Sequence, residues 1–259
     1  MEAFSVVRIV KYFENYFYFK ADFRGLYNIK GKKMQLADDF LQFFFPDLCV
    51  ACGQILNRRE KVLCTHCHFH LPRTEFHKDF ENPVSQLFWG RVKIEYAGSF
   101  FYFNKGSSYQ ALIHKLKYKG RSDIGIEMGR AFGAELRKSV FAFADLIIPV
   151  PLHSKKMKIR GYNQSEMIAR GLSQTLNLPL STRALVRNES TETQTRKSRF
   201  QRFENMEGKF TVNISSELEG KHIILADDVV TTGSTLESCA TTILQVKGTK
   251  VSVLTLAVA

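Results

Sequence analysis

From Ile94 to the end of the chain, short runs of consecutive apolar residues alternate with longer stretches in which apolar residues recur at every third or fourth position. Ile94 to Phe103 reads as a strand, and Tyr109 to Lys117 and Ile124 to Lys138 have helical periodicity. Asp145 to Val150 is an apolar run that stops at Pro149-Val-Pro151, as a buried strand does. Ser165 to Leu176 is a further helix, His222 to Ala226 a strand, Ser234 to Val246 a helix and Lys250 to Val258 a final strand. This alternation predicts an α/β domain over residues 94–259, built on a mostly parallel sheet covered by helices. The polar stretch His77 to Pro83 reads as the linker before it, and no repeat or low-complexity tract interrupts the pattern.

Composition adds limits. With 259 residues, 44% of them hydrophobic, the chain has material for one substantial core and a small satellite module. No stretch approaches the roughly 20 uninterrupted apolar residues of a membrane span. Met1 to Lys33 is rich in aromatics such as Tyr12, Phe13, Tyr16 and Phe17, but Arg8, Lys11, Lys20 and Arg24 are scattered among them. The order of a secretory signal is missing, so a cytoplasmic location is expected. Residues 1–33 read as an N-terminal extension, with Met34 a candidate for the true start.

Four of the five cysteines form Cys49-Val-Ala-Cys52 and, after eleven intervening residues, Cys64-Thr-His-Cys67. A two-residue gap lets both sulfurs of a knuckle reach one ion, and two knuckles complete the tetrahedron that zinc prefers. Residues 34–76 are therefore expected to hold a helix and a small four-cysteine zinc ribbon, with Gly53 in the tight turn after the first knuckle. A closed four-thiolate site leaves no position for water, which makes the expected zinc structural. Disulfide pairing is the alternative, and a cytoplasmic location opposes it. His66, His68, His70 and His77 are expected to be surface or packing residues, and Cys239 a small core residue of the last helix.

The sequence Ile223-Ile-Leu-Ala-Asp227-Asp228-Val-Val-Thr231-Thr232-Gly233-Ser234-Thr235 places two adjacent carboxylates at the carboxyl end of a strand and a hydroxyl-rich loop before a helix. Ligands of open parallel sheets bind beyond the carboxyl ends of strands, and the helix N-terminus offers unpaired N–H groups to a phosphate. Carboxylates repel phosphate and suit neutral hydroxyls, such as those of a ribose. A Walker loop is excluded because the lysine of GxxxxGK[ST] is missing, and helix capping needs only one of these residues. The formal net charge is +12, and residues 150–202 hold eleven Lys or Arg against three Glu, a net of +8. Phosphorylated metabolites and nucleic acid backbones both suit such a segment, and a solvated basic face is the plain alternative.

DDVVTTGST resembles the phosphoribosyl diphosphate signature of type I phosphoribosyltransferases, and together with the paired knuckles it makes the chain resemble the ComF family. Pro149-Val-Pro151-Leu152-His153, Arg160-Gly161-Tyr162-Asn163-Gln164, Thr191 through Gln194, and Arg202 with Asn205 carry the same resemblance. It implies a sheet of the type I phosphoribosyltransferase kind. It also implies Asp227 and Asp228 on the ribose hydroxyls and Thr231, Thr232, Gly233, Ser234 and Thr235 on the 5′-phosphate. The diphosphate would lie against the loop after Pro151, where Lys155, Lys156, Lys158 and Arg160 are available, with Mg²⁺ bridging its oxygens, and Asn163 and Gln164 are further candidate substrate-binding residues. Asp227, Asp228 and Arg160 are the candidate catalytic residues in that reading. His153 reads as structural, the run from Lys155 to Arg160 has a solvated loop as its alternative, and Arg196, Lys197 and Arg199 read as a loop able to close over substrate.

Two functions follow. One is a phosphoribosyltransferase-type protein that binds phosphoribosyl diphosphate with Mg²⁺ and is linked to DNA uptake in natural transformation. The other is a competence factor that binds single-stranded DNA beside the competence helicase machinery, its phosphoribosyl site regulatory or vestigial. Fold alone does not decide between them.

Overall fold

The structure, a computed structural model, describes residues 46–188 and 209–259. In chain order, α1 (Thr65–Phe69) and α2 (Pro83–Gln86) precede β1 (Ala97–Tyr102), α3 (Gln110–Tyr118), α4 (Ser122–Leu136) and β2 (Leu146–Pro149). There follow α5 (Ser154–Arg160), α6 (Gln164–Leu176), β3 (Leu185–Arg187), β4 (Phe210–Val212), β5 (His222–Val230), α7 (Ser234–Leu244) and β6 (Lys250–Val258). The main sheet has the order β1-β6-β5-β2, with every neighbouring pair parallel.

Both faces of this sheet are covered, which is why its strands are apolar nearly throughout. Successive side chains enter opposite cores. Ile224, Ala226, Leu254 and Leu256 join the core of α3, α4 and α6, while Ile223, Leu225, Val251 and Val253 join that of α7, Val84 and Phe88. The buried polar exceptions pair across strands: His222 Nε2 lies 2.7 Å from Ser252 Oγ, and the hydroxyls of Ser99 and Thr255 bond each other. The first core also takes in Cys49, Val50, Leu63, Cys64 and Cys67, so the cysteine module packs directly into the sheet domain. Close approach of α4 and α6 depends on glycine. A Cβ on Gly129 would lie 2.3 Å from the carbonyl oxygen of Ile168, and one on Gly171 2.2 Å from that of Ile126.

Several local expectations change. His77 to Pro83 is a built turn, because the buried Asn82 donates to the carbonyls of Phe76, Asp79 and Ala97 and accepts from the N–H groups of Val84 and Ser85. The run from Lys155 to Arg160 forms α5 instead of a loop. His153 Nδ1 caps it by accepting from the N–H of Lys155, and Gly161 ends it with a φ of 78°. β5 continues past Ala226 to Val230 because Asp227 and Val229 pair with Thr255 and Ala257 of β6, so the carboxylates belong to the strand itself. β3 and β4 form an antiparallel pair too short for periodicity to reveal. Thr191 through Gln194, Arg196, Lys197, Arg199, Arg202 and Asn205 lie outside the described residues. Among the described residues, no helix is long and apolar enough to cross a membrane.

Candidate functional site

β5 lies between β6 and β2, so its carboxyl end falls near the middle of the sheet edge. There Asp227 Oδ1 accepts a 2.7 Å hydrogen bond from Ser165 Oγ at the start of α6 and a 2.8 Å bond from the N–H of Asp228. Asp228 Oδ1 lies 3.1 Å from Lys117 Nζ near the end of α3, with both side chains largely buried. Burial, and after it the charge of Asp228, pushes the Asp227 carboxyl up to about 7, against the opposing pull of Ser165, the Asp228 N–H and Lys117. Two adjacent acceptors held in this way form a site for hydroxyls or a cation.

Beyond Val230 the chain turns through the exposed Thr231 and Thr232 into Gly233 and then α7. Gly233 is needed twice: its φ is 74°, and a Cβ there would come 3.1 Å from the ring of Phe88. Ser234 is partly buried and Thr235 exposed, so hydroxyls surround the N-terminus of an 11-residue helix, where backbone N–H groups and the positive end of the dipole favour an anion.

β2 ends beside β5, where the N–H of Val150 donates to the carbonyl of Ala226 at 2.9 Å, and α5 follows at the same sheet edge. Lys155, Lys156 and Lys158 are exposed on α5. Arg160 is partly buried, with its guanidinium 5.4 Å from the centroid of the Tyr118 ring and Nη1 donating to Gln164 Oε1 at 2.6 Å. Asn163 and Gln164 are buried and engage their amides within the fold. Asn163 Nδ2 donates to the carbonyl of Val150 at 2.9 Å and its Oδ1 caps α6 through the N–H of Ser165 at 3.1 Å, while Gln164 Nε2 donates to the carbonyl of Tyr162 at 3.2 Å. Both brace the site from within.

Four residues at the site escaped the reading of the sequence: Lys117, Tyr118, Ser165 and Arg91. The first two end an ordinary amphipathic helix and Ser165 lies in the first turn of another, so nothing local marks them. Arg91 sits in the turn after α2, and its Nη1 donates to the carbonyls of Leu87 at 2.9 Å and Thr232 at 3.0 Å while Nη2 pairs with Glu237.

The cysteines converge as their spacing predicts. Sulfurs at the vertices of a tetrahedron around zinc stand about 3.8 Å apart. Cys52 Sγ and Cys64 Sγ are 3.7 Å apart, and the Sγ atoms of Cys49, Cys52, Cys64 and Cys67 all lie within 4.8 Å of one another. Burial raises the Cys49 thiol, but N–H groups of Cys52, Cys64 and Ala51 outweigh it and hold the group at about 7. Burial pushes the Cys67 thiol up, and the neighbouring cysteines add to that. A divalent cation would remove this mutual opposition and let all four ionise, so the set fits Zn²⁺. His66, His68 and His70 are exposed, Gly53 has a φ of 76°, and Cys239 is fully buried in α7.

The raised carboxyl has a consequence for stability. Asp227 holds its proton more tightly folded than unfolded, so its contribution is complete below the unfolded value near 4 and is lost as pH rises to about 7. Asp227→Asn keeps the acceptor oxygen without the charge. The variant is expected to gain stability over the ligand-free wild type at pH 8, on the order of 2 kcal/mol, and little at pH 4. Urea unfolding at the two pH values reads the difference.

A family model described as phosphoribosyl transferase domain matches residues 162–258. The chain is 30% identical over 209 residues to the DNA utilization protein YhgH of Escherichia coli (strain K12), covering 76% of this chain and 84% of that protein. It is 32% identical over 130 residues to Competence protein F of Haemophilus influenzae, covering 48% of this chain and 57% of that one. Among solved structures, the glutamine phosphoribosylpyrophosphate amidotransferase from B. subtilis is 19% identical with a TM-score of 0.39, covering 55% of this chain and 30% of that chain. At the identity and coverage seen with the E. coli protein, the chain belongs to the ComF family, competence-related proteins that carry a phosphoribosyltransferase domain.

Proposed function

We propose that this protein binds phosphoribosyl diphosphate with Mg²⁺ at the carboxyl edge of its sheet, as a phosphoribosyltransferase-type member of a DNA-uptake system in the cytoplasm. The observation that carries the reading is the continuity of Asp227 and Asp228 with the turn from Thr231 to Thr235, which sets hydroxyl acceptors beside phosphate donors. Ribose hydroxyls satisfy the carboxylates without the repulsion an anion would meet, and the 5′-phosphate takes the N–H groups and hydroxyls at the start of α7. Lys155, Lys156, Lys158 and Arg160 belong to the neighbouring connection and suit the diphosphate. When the bond from the anomeric carbon to the diphosphate breaks, its electron pair leaves with the diphosphate, the carbon takes a new bond from the nucleophilic atom of an acceptor, and the cations of α5 would stabilise the charge that departs. Mg²⁺ taken up together with the diphosphate would add to this neutralisation. Zn²⁺ in the cysteine cluster is structural in this reading. Calorimetric titration of zinc-loaded protein with phosphoribosyl diphosphate and Mg²⁺ is expected to give saturable binding that the Asp227→Asn, Asp228→Asn double variant lacks. A folded wild type that binds none would refute the proposal.

The exposed lysines of α5, together with relatives named for DNA utilization and competence, favour a second reading: contact with single-stranded DNA alongside the competence helicase machinery. Binding driven by phosphate contacts should weaken steeply between 50 and 200 mM salt, on the order of tenfold or more, and should survive Asp228→Asn. Affinity that stays flat across that range in a fluorescence-anisotropy titration would remove the electrostatic basis of this reading.

A further inference from the structure

Arg91 belongs to none of the roles assigned above, yet one planar group joins three segments: the turn after α2 through Leu87 O, the loop through Thr232 O, and the first turn of α7 through Glu237. Arginine can do this because its donors diverge in a fixed fork, which a lysine ammonium does not reproduce. The turn that carries it is itself anchored. Asn82 caps α2 and ties it to β1, and the ring of the buried Phe88 packs so near Gly233 that a Cβ there would come 3.1 Å from it.

The bond to the Thr232 carbonyl fixes the orientation of a peptide unit in the loop. A trans peptide is planar, so the carbonyl of Thr232 and the N–H of Gly233 point in opposite directions. With the oxygen held on the Arg91 side, the Gly233 N–H is directed away from Arg91. Released, this peptide can turn over and present an oxygen in place of a donor, and glycine, already at a φ of 74°, offers the least steric resistance to such a flip. Glu237 adds a second reason. A carboxylate in the first turn opposes a phosphate at the same helix terminus, and pairing with Arg91 offsets its charge.

We infer that Arg91, held by Glu237, is a positioning residue that fixes the Thr232–Gly233 peptide with its N–H toward the 5′-phosphate. The role rests on the phosphoribosyl diphosphate reading and makes a narrower claim, since it concerns the phosphate end of the ligand alone. Two probes separate the ends: ribose 5-phosphate carries the 5′-phosphate and the diol, and Mg²⁺-diphosphate carries the leaving group.

Calorimetry of Arg91→Met is expected to show ribose 5-phosphate and phosphoribosyl diphosphate weakened about 10- to 100-fold, the range seen when a group that orients a direct contact is removed. Mg²⁺-diphosphate should bind as it does to the wild type. Arg91→Lys should recover part of the loss, and Glu237→Gln should shift affinity in the same direction by a smaller factor. Unchanged ribose 5-phosphate affinity in folded Arg91→Met, or an equal loss for both probes, overturns the role, because a merely structural defect moves both ends together. If Arg91→Met does not fold, Glu237→Gln decides by the same comparison of probes. A wild type that binds no phosphoribosyl diphosphate defeats the underlying reading, whereas wild-type binding to which the variants are indifferent defeats the positioning role alone.

Discussion

Two carboxylates on consecutive residues at the buried end of a central strand carry an electrostatic load that the surrounding structure must answer. Burial and mutual repulsion both favour the neutral form of Asp227. The answer comes from three directions: a hydroxyl from Ser165, the backbone N–H of Asp228 and the ammonium of Lys117. Each partner must stand within about 3 Å to count, so the position of the helices that carry them is part of the site.

That dependence explains features remote from the carboxylates. Ser165 is placed by the start of α6, which Asn163 fixes to the end of β2 and which glycine contacts draw against α4. Lys117 is placed by α3, whose neighbour Tyr109 donates its hydroxyl to the carbonyl of Cys67 at 2.9 Å. The cysteine module thereby supports the helix that supplies a cation to Asp228. On the opposite side of the loop, Phe88 and Arg91 do the same for Thr232 and Gly233.

Much of this was legible in the sequence. The strands buried on both faces declare themselves as unbroken apolar runs, the knuckles by their spacing, and the site by the abrupt change from apolar to acidic to hydroxyl residues between Ala226 and Thr235. The extent of β5 was not, because aspartate is a poor strand former and only pairing with β6 keeps Asp227 in the ladder. Asn163 and Gln164 look like ligand contacts in a polar stretch, and only the fold reveals that their amides are consumed by Val150, Ser165, Arg160 and Tyr162. Lys117 and Arg91 are separated from their partners by more than a hundred residues, a relation that no local pattern records.

The proposed binding of phosphoribosyl diphosphate puts ribose hydroxyls on Asp227 as a charged acceptor, which a carboxyl raised to about 7 meets by giving up a proton. Proton release on binding tests it most directly, read from titrations of phosphoribosyl diphosphate and Mg²⁺ in buffers of different ionisation enthalpy. With a carboxyl near 7, binding at pH 7 is predicted to release on the order of half a proton per site, and the release should vanish in Asp227→Asn. Binding that exchanges no proton, and that the variant retains at full affinity, would contradict the account.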